Sequence, residues 1–209
     1  MNENVVKRNK LLAETVIKGL ESRNMSGYYA ATAEEALKKA LELIPKGSSV
    51  TMGGCMSAQE IGLVDELKKG DYNFIDRYAE EDQRAAMLKA YDVDVYLASA
   101  NAMTDDGVLV NIDGNSNRVS AIAYGPKKVV FIVGMNKVCG DVDHAMKRAR
   151  NVAAPINVQR FGLKTPCAAT GKCMDCKSPD TICCQFMITR YSRHAGRIHV
   201  ILVGEPLGF

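Results

Sequence analysis

Three short apolar runs in the middle of the chain constrain its fold more than any other feature of the sequence. They cover Val93–Ala98, Val108–Ile112 and Val129–Val133, and each has the length and composition of a buried strand. None is long enough to span a bilayer. Runs of this kind that alternate with helical patterns predict parallel strands joined by right-handed crossovers.

The N-terminal half supplies that alternation. Asn2–Arg23 has the pattern of an amphipathic helix, and Thr32 with Glu35 forms a capping box ahead of a second helix over Ala33–Leu43. We therefore expect a single α/β domain over residues 1–209, with a mainly parallel sheet flanked by helices. The other predicted strands are Tyr28–Ala31, Ser48–Met52, Tyr72–Asp76 and Ile198–Val203, and the other predicted helices are Ala58–Lys69, Ala79–Ala90 and Asp141–Ala153.

Composition and charge exclude several classes of function. The 209 residues carry 27 Lys and Arg against 24 Asp and Glu, and the net charge of +3 is too small to favour nucleic acid or an anionic membrane as a partner. The N-terminal segment is charged throughout and lacks the apolar core of a signal peptide. We expect a cytoplasmic protein, whose 7 cysteines are thiols or ligands rather than disulfides. The sequence is compatible with a homo-oligomer.

Polar and small residues gather between the three apolar runs. Open α/β sheets bind their ligands in a crevice at the ends of the strands, so this stretch is a candidate ligand site. A glycine such as Gly107 lets the backbone come close to a ligand or to another strand. The alternative is a hairpin with well-formed turns, which uses the same residue types. The candidate ligand-binding residues here are Asn101, Thr104, Asp106, Gly107, Asp113, Asn117 and Arg118.

The same stretch resembles a known family. Residues 99–138, SANAMTDDGVLVNIDGNSNRVSAIAYGPKKVVFIVGMNKV, are similar to the signature of the LUD (lactate-utilisation) domain family. The resemblance extends back to GGCMSAQEIGL at Gly53 and forward through a cysteine-rich tail. It implies a fold related to the sugar-phosphate isomerase and CoA-transferase superfamily. It also implies a role near lactate oxidation, for a family without an assigned reaction of its own.

A strand–turn–helix sequence at Gly53 and Gly54 is a second part of the candidate site. Ser57 and Glu60 are predicted to form a capping box on the helix that follows the two glycines. Such a turn directs backbone N–H groups and a helix dipole towards an anion. Glycines that only turn the chain are the alternative. The resemblance favours a ligand loop, because relatives with sugar-phosphate or CoA substrates use this turn for phosphate or acyl groups.

Asn136 and Lys137 lie just beyond the apolar run Val129–Val133, after Gly134 and Met135. The C-terminal end of a parallel strand is where a cation meets an anionic ligand. We therefore include both residues among the ligand-binding candidates. The alternative for Lys137 is an ordinary solvated lysine.

The tail from Thr165 is rich in cysteine and in loop-forming residues. Its spacing is C-x5-C-x2-C-x6-C-C, and two thiolates in a C-x2-C turn reach one metal centre. Zinc or an iron–sulfur cluster is the expected cofactor, although the spacing is not that of common ferredoxins. A redox or disulfide pair and separately packed thiols are the alternatives. The candidate ligands, in the loop 165–184, are Cys167, Cys173, Cys176, Cys183 and Cys184.

Three functions remain open at the level of sequence. The first is a protein that binds a small carboxylate or phosphorylated ligand and takes part in oxidising lactate to pyruvate, as an accessory or electron-transfer component beside iron–sulfur lactate-oxidising proteins. The second is an isomerase or acyl-transferase in which Asp105, Asp106 or Asp113 is a base and Lys137 stabilises an anion. The third is ligand binding without catalysis. No GxGxxG fingerprint follows a strand, so we expect no nicotinamide or flavin site.

Overall fold

A six-stranded parallel sheet forms the centre of the protein in the computed structural model, which describes all 209 residues. The strand order is β1-β10-β7-β4-β2-β3, and every neighbouring pair is parallel. The predicted α/β class with a mainly parallel sheet is confirmed. The strands are β1 Ser26–Ala30, β2 Ser49–Met52, β3 Asn73–Ile75, β4 Val95–Ala98, β7 Lys128–Gly134 and β10 Ile198–Val203.

A second sheet of four strands lies beside the first. Its order is β8-β5-β6-β9, with β5 and β6 paired as an antiparallel hairpin and β9 antiparallel to β6. The strands are β5 Ala102–Thr104, β6 Leu109–Asp113, β8 Val138–Cys139 and β9 Gln185–Thr189. The apolar run Val108–Ile112 therefore belongs to this mixed sheet, as one strand of a hairpin, and not to the parallel sheet.

Helices cover both faces of the parallel sheet. They are α1 Glu3–Ser22, α2 Ala33–Leu43, α3 Met56–Glu60, α4 Leu63–Lys69, α5 Gln83–Lys89, α6 Asn117–Ala123, α7 Val142–Arg148, α8 Ala154–Val158 and α9 Pro166–Thr170. A π-helical stretch, Ala149–Ala153, joins α7 to α8, and a 3₁₀ turn, Met135–Lys137, follows β7. None of these helices has both the length and the apolar character that crossing a membrane requires.

The two helical layers are filled by alternate residues of the same strands. In β7, Val129, Phe131 and Val133 pack on the side that includes α1 and α6, whereas Val130 and Ile132 pack on the side of α2, α3 and α4. Strands buried on both faces need continuous apolar runs, because successive side chains point to opposite sides. This requirement explains the unbroken apolar sequences that mark the strands.

Two predicted helices differ from the observed ones. The predicted helix Ala58–Lys69 is broken into α3 and α4 because Gly62 adopts a left-handed conformation, with φ of 78°. The predicted capping box is also wrong: Cys55 is the N-cap of α3, no side chain caps it, and Ser57 lies inside the helix. The helix predicted over Ala79–Ala90 begins only at Gln83, because Asp82 is its N-cap and accepts a hydrogen bond from the Ala85 N–H.

Candidate functional site

A cavity of about 670 Å³ opens where the C-terminal ends of β2, β4 and β7 meet the exit of the β5–β6 hairpin. We call it the ligand cavity. Small-molecule sites in open α/β folds occupy this place and have this size. It brings together eight of the residues that the sequence nominated: Gly53, Gly54, Ser57, Asn101, Asp113, Asn117, Arg118 and Lys137.

Lys137 is the most unusual residue of the ligand cavity. Only 2% of it is exposed, so the solvated alternative does not hold. Its Nζ donates to Ser99 Oγ at 3.1 Å and lies 3.5 Å from Ser57 Oγ, and it forms no ion pair with a carboxylate. Burial lowers the pKa of Lys137 to about 8. A buried ammonium whose partners are two hydroxyls retains the capacity to bind an anion.

The other charges of the ligand cavity are mostly positive. Arg77, Arg118 and Arg160 line it with Lys137, and the Nε of Arg77 is buried without a hydrogen-bond partner. The lining carboxylates are Asp113 and Asp180, and Asp180 accepts a hydrogen bond from the Lys164 N–H. Among the lining side chains, four cations against two carboxylates favour an anionic ligand.

Asp113 stabilises the wall of the ligand cavity. One carboxylate oxygen accepts from the N–H groups of Asn115 and Ser116, and the other accepts from those of Arg118 and Val119 at 3.0 Å. These bonds fix the turn that starts α6. The Arg118 guanidinium also lies nearby, with Nε 3.9 Å from Asp113 Oδ2. A carboxylate with four backbone donors is occupied structurally and is not placed to act as a base.

Three of the predicted ligand residues lie outside the cavity. Asp106 forms an ion pair with Arg23, the C-cap of α1, and accepts a hydrogen bond from Thr104 Oγ1. Gly107 has φ of 90°, and a Cβ there would lie 2.6 Å from the Leu20 backbone N, so its close approach is to α1 and not to a ligand. The hairpin turns these residues away from the ends of the parallel strands. They tie the hairpin to α1.

Glu60 and Asn136 hold the C-terminal residues at the mouth of the cavity. Glu60 Oε2 accepts from the Gly208 N–H at 2.6 Å, and Asn136 Oδ1 accepts from the Leu207 N–H at 3.2 Å. Gly208 lies so close to Lys137 that a Cβ on it would come within 3.0 Å of Nζ. The two predicted residues therefore support the site without lining it.

A second, smaller cavity of about 60 Å³ adjoins the first, and we call it the cysteine cavity. Cys167, Cys173, Cys176 and Cys183 line it, whereas Cys184 does not. All are free thiols, and no three of the protein's His, Cys, Asp and Glu side chains stand at metal-ligand spacing. Burial and the neighbouring thiols raise the pKa of Cys183 to about 11. The two cavities share a wall, formed by Thr181 and Ile182, because both residues line each of them.

Comparison with known proteins assigns the chain to a family. The LUD domain family profile matches residues 13–203. The chain belongs to the LUD domain family. This confirms the resemblance of the central stretch, and membership implies a role in lactate utilisation in general terms. No curated protein matches the chain.

Solved structures similar to this LUD protein include a DUF162 family protein from Deinococcus radiodurans. The two align with a TM-score of 0.53 at 10% identity, over 93% of this chain and 98% of the other, which shows a shared fold. Ribose 5-phosphate isomerase A from Neisseria gonorrhoeae aligns with a TM-score of 0.37 at 17% identity, over 54% of this chain and 56% of its own. eIF2B delta from Chaetomium thermophilum aligns with a TM-score of 0.37 at 16% identity, over 67% of this chain and 57% of its own.

Sequence reasoning missed several cavity residues of this LUD protein. Ser99, the partner of Lys137, follows β4 directly, and its place at a strand end was a usable signal. Arg160 reaches the cavity from the chain after α8, with its guanidinium over the rings of Phe161 and Phe209. Nothing in the sequence indicates that the C-terminal residue returns to the site. That arrangement depends on the tertiary fold alone.

Proposed function

We propose that this LUD protein binds a small organic carboxylate in the ligand cavity and takes part, through that ligand, in the oxidation of lactate to pyruvate. The observation that carries the proposal is the burial of Lys137 without a carboxylate partner. A buried cation is costly unless it is paired, and the partner that the protein does not supply can come from the ligand.

The surroundings of Lys137 favour a 2-hydroxy or 2-oxo acid as the ligand. Ser57 and Ser99 place two hydroxyls beside the ammonium, and each can donate to or accept from a second polar group of the ligand. The membership of a family with a role in lactate utilisation supports the same class of acid. The cavity is large enough for a bigger acid, so its size does not select lactate within that class.

One observation favours a second candidate, acyl transfer. The contact between Lys137 Nζ and Ser99 Oγ, at 3.1 Å, is the contact that a general base makes with a nucleophile. A neutral Lys137 can take the hydroxyl proton while Ser99 Oγ attacks an acyl carbon, and it can return that proton to the alkoxide or thiolate that leaves as the acyl bond breaks. The carboxylate bases predicted for the enzymatic alternative do not support it, since Asp113 is occupied by backbone donors and neither Asp105 nor Asp106 lines the cavity.

Binding of an acid and of its amide provides the test of the proposed function. We expect L-lactate or pyruvate to bind to the purified protein in a calorimetric titration. Lactamide, which has the same shape without the charge, should bind about 10- to 100-fold more weakly, because a charge-assisted hydrogen bond contributes about 1.5–3 kcal/mol. Equal affinity for the acid and the amide contradicts the role of Lys137 as counter-ion. No binding of any 2-hydroxy or 2-oxo acid contradicts the proposed ligand class.

A further inference from the structure

We propose that Cys167, Cys173, Cys176 and Cys183 hold a thiophilic metal centre, either zinc or an iron–sulfur cluster, beside the ligand cavity. The proposal is independent of what the ligand cavity binds. The four thiols come from three parts of the chain, namely α9, the C-x2-C turn and the end of the loop, and all face the same space. Thiols with no common function have no reason to converge in this way.

The size of the cysteine cavity fits a metal centre better than an organic ligand. Its volume of about 60 Å³ is well below the roughly 300 Å³ at which small-molecule pockets begin. It is still larger than the 10–15 Å³ or so that a single water molecule needs. The thiols are not at ligand spacing in the structure, so binding draws them inward by rotation of their side chains.

The backbone of the loop is arranged for two neighbouring ligands. Asp175, between Cys173 and Cys176, has a left-handed conformation with φ of 52°. This conformation is uncommon for a residue other than glycine, and the cysteines on either side of it both line the cysteine cavity. Thr165 is the N-cap of α9, and its Oγ1 lies 3.3 Å from Cys167 Sγ, which holds the third thiol in place.

The rest of the loop has few other sources of order. Between the end of α9 at Thr170 and the start of β9 at Gln185 there is no helix or strand. Irregular segments longer than about 12–15 residues are uncommon within a compact domain and are usually functional. Because no residue of this segment is fully buried, a metal bound by its thiols provides the folding free energy that apolar burial does not.

Arg150 supplies a positive charge at the cysteine cavity. Its Nη2 lies 3.7 Å from Cys173 Sγ and 2.5 Å from Asp175 Oδ1. Each thiol that binds a metal releases its proton to solvent, so four thiolates around a divalent ion leave a net negative charge that a guanidinium stabilises. Arg150 belongs to the π-helical stretch, a distortion that often marks functional positions.

The structure selects Cys183 over Cys184 as the fourth ligand. The two residues are consecutive in the chain, but only one of them lines the cysteine cavity. Cys183 lines the cavity, and Cys184 is exposed with its Sγ 3.7 Å from the Thr181 carbonyl oxygen. Cys184 is therefore a matched control within the same loop.

Anaerobic purification with metal and sulfide analysis tests the proposal. We expect the wild-type protein and Cys184→Ser to retain bound metal and Cys183→Ser to lose it. Broad visible absorption with iron and sulfide identifies a cluster, and colourless protein with one zinc identifies a single-ion site. Far-UV circular dichroism of both variants shows whether the fold survives, and limited proteolysis should cut the loop faster in Cys183→Ser than in Cys184→Ser.

Three results would overturn the proposal. One is wild-type protein that stays free of metal after anaerobic reconstitution with zinc or with iron and sulfide, while all five loop thiols react with an alkylating reagent. Another is a disulfide found within the loop after anaerobic purification. That result would show that the cysteines form a redox pair and not a metal centre. The last is a folded Cys183→Ser variant that retains its metal, or a folded Cys184→Ser variant that loses it. Either result shows that the four proposed cysteines are not the ligand set.

Discussion

Lys137→Met is expected to make the protein more stable at pH 7 and unable to bind its carboxylate ligand. Burial lowers the pKa of Lys137 from 10.5 to about 8, which means that the folded state disfavours the charged side chain by about 3 kcal/mol. Methionine has a similar shape and no charge, so the free energy of unfolding should rise by about 1–3 kcal/mol. Chemical denaturation and a ligand titration measure the two effects.

The gain in stability from Lys137→Met should shrink as the pH rises. Between about pH 8 and 10.5 the wild-type protein binds fewer protons at Lys137 when folded than when unfolded, so its stability rises with pH and approaches that of Lys137→Met. Lys127→Met is the matched control, since Lys127 is exposed and pairs with Asp94 at the surface. That variant should change stability by less than about 1 kcal/mol and leave ligand binding intact. A large loss of stability in Lys137→Met would make Lys137 a structural residue.

Asp113→Ala is expected to lower the free energy of unfolding by about 2–4 kcal/mol. Four backbone N–H groups at the start of α6 lose their acceptor, in a position where the carboxylate is only 7% exposed. Ligand affinity should fall as well, because Arg118 belongs to the same turn. Urea denaturation followed by circular dichroism measures the loss.

Asp106→Ala is the control for this substitution. Asp106 was nominated from the sequence beside Asp113, but its side chain is 60% exposed and pairs with Arg23 away from the cavity. Its removal should cost less than about 1 kcal/mol and leave ligand affinity unchanged. If the two aspartate variants lose similar stability, the capping role of Asp113 is wrong. If Asp106→Ala abolishes binding, the position of the site is wrong.

The sequence predicts the parallel sheet well because its signals are local. Strands such as Val129–Val133 are buried on both faces and need apolar side chains at every position, and the helix after Thr32 carries its own cap. The prediction fails where contacts between residues far apart in the sequence determine the structure. Nothing local shows that Val108–Ile112 leaves the main sheet to pair with β9, or that Gly62 breaks a helix whose apolar pattern continues past it.

The candidate ligand site was predictable in the parts that follow strands. Gly53 comes directly after β2 and Lys137 three residues after the end of β7, and parallel strands bring such residues to one edge. Thr104 and Asp106 were nominated for the same reason, yet the hairpin carries them to α1. Spacing likewise does not indicate which of Cys183 and Cys184 lines the cysteine cavity. Only the structure shows that distinction.

The pH dependence of carboxylate binding by the wild-type protein tests the role of Lys137 most directly. The other ionisable groups around Lys137 are Cys55, Glu60, Arg118 and Arg148, and burial raises the pKa of Cys55. Affinity for pyruvate should be constant from pH 6 to about 7.5 and then fall about tenfold per pH unit above pH 8, as the ammonium loses its proton. Affinity that stays constant to pH 10 contradicts the assignment of Lys137 as the counter-ion. Turnover of an acyl substrate that rises above pH 8 supports Lys137 as a general base instead.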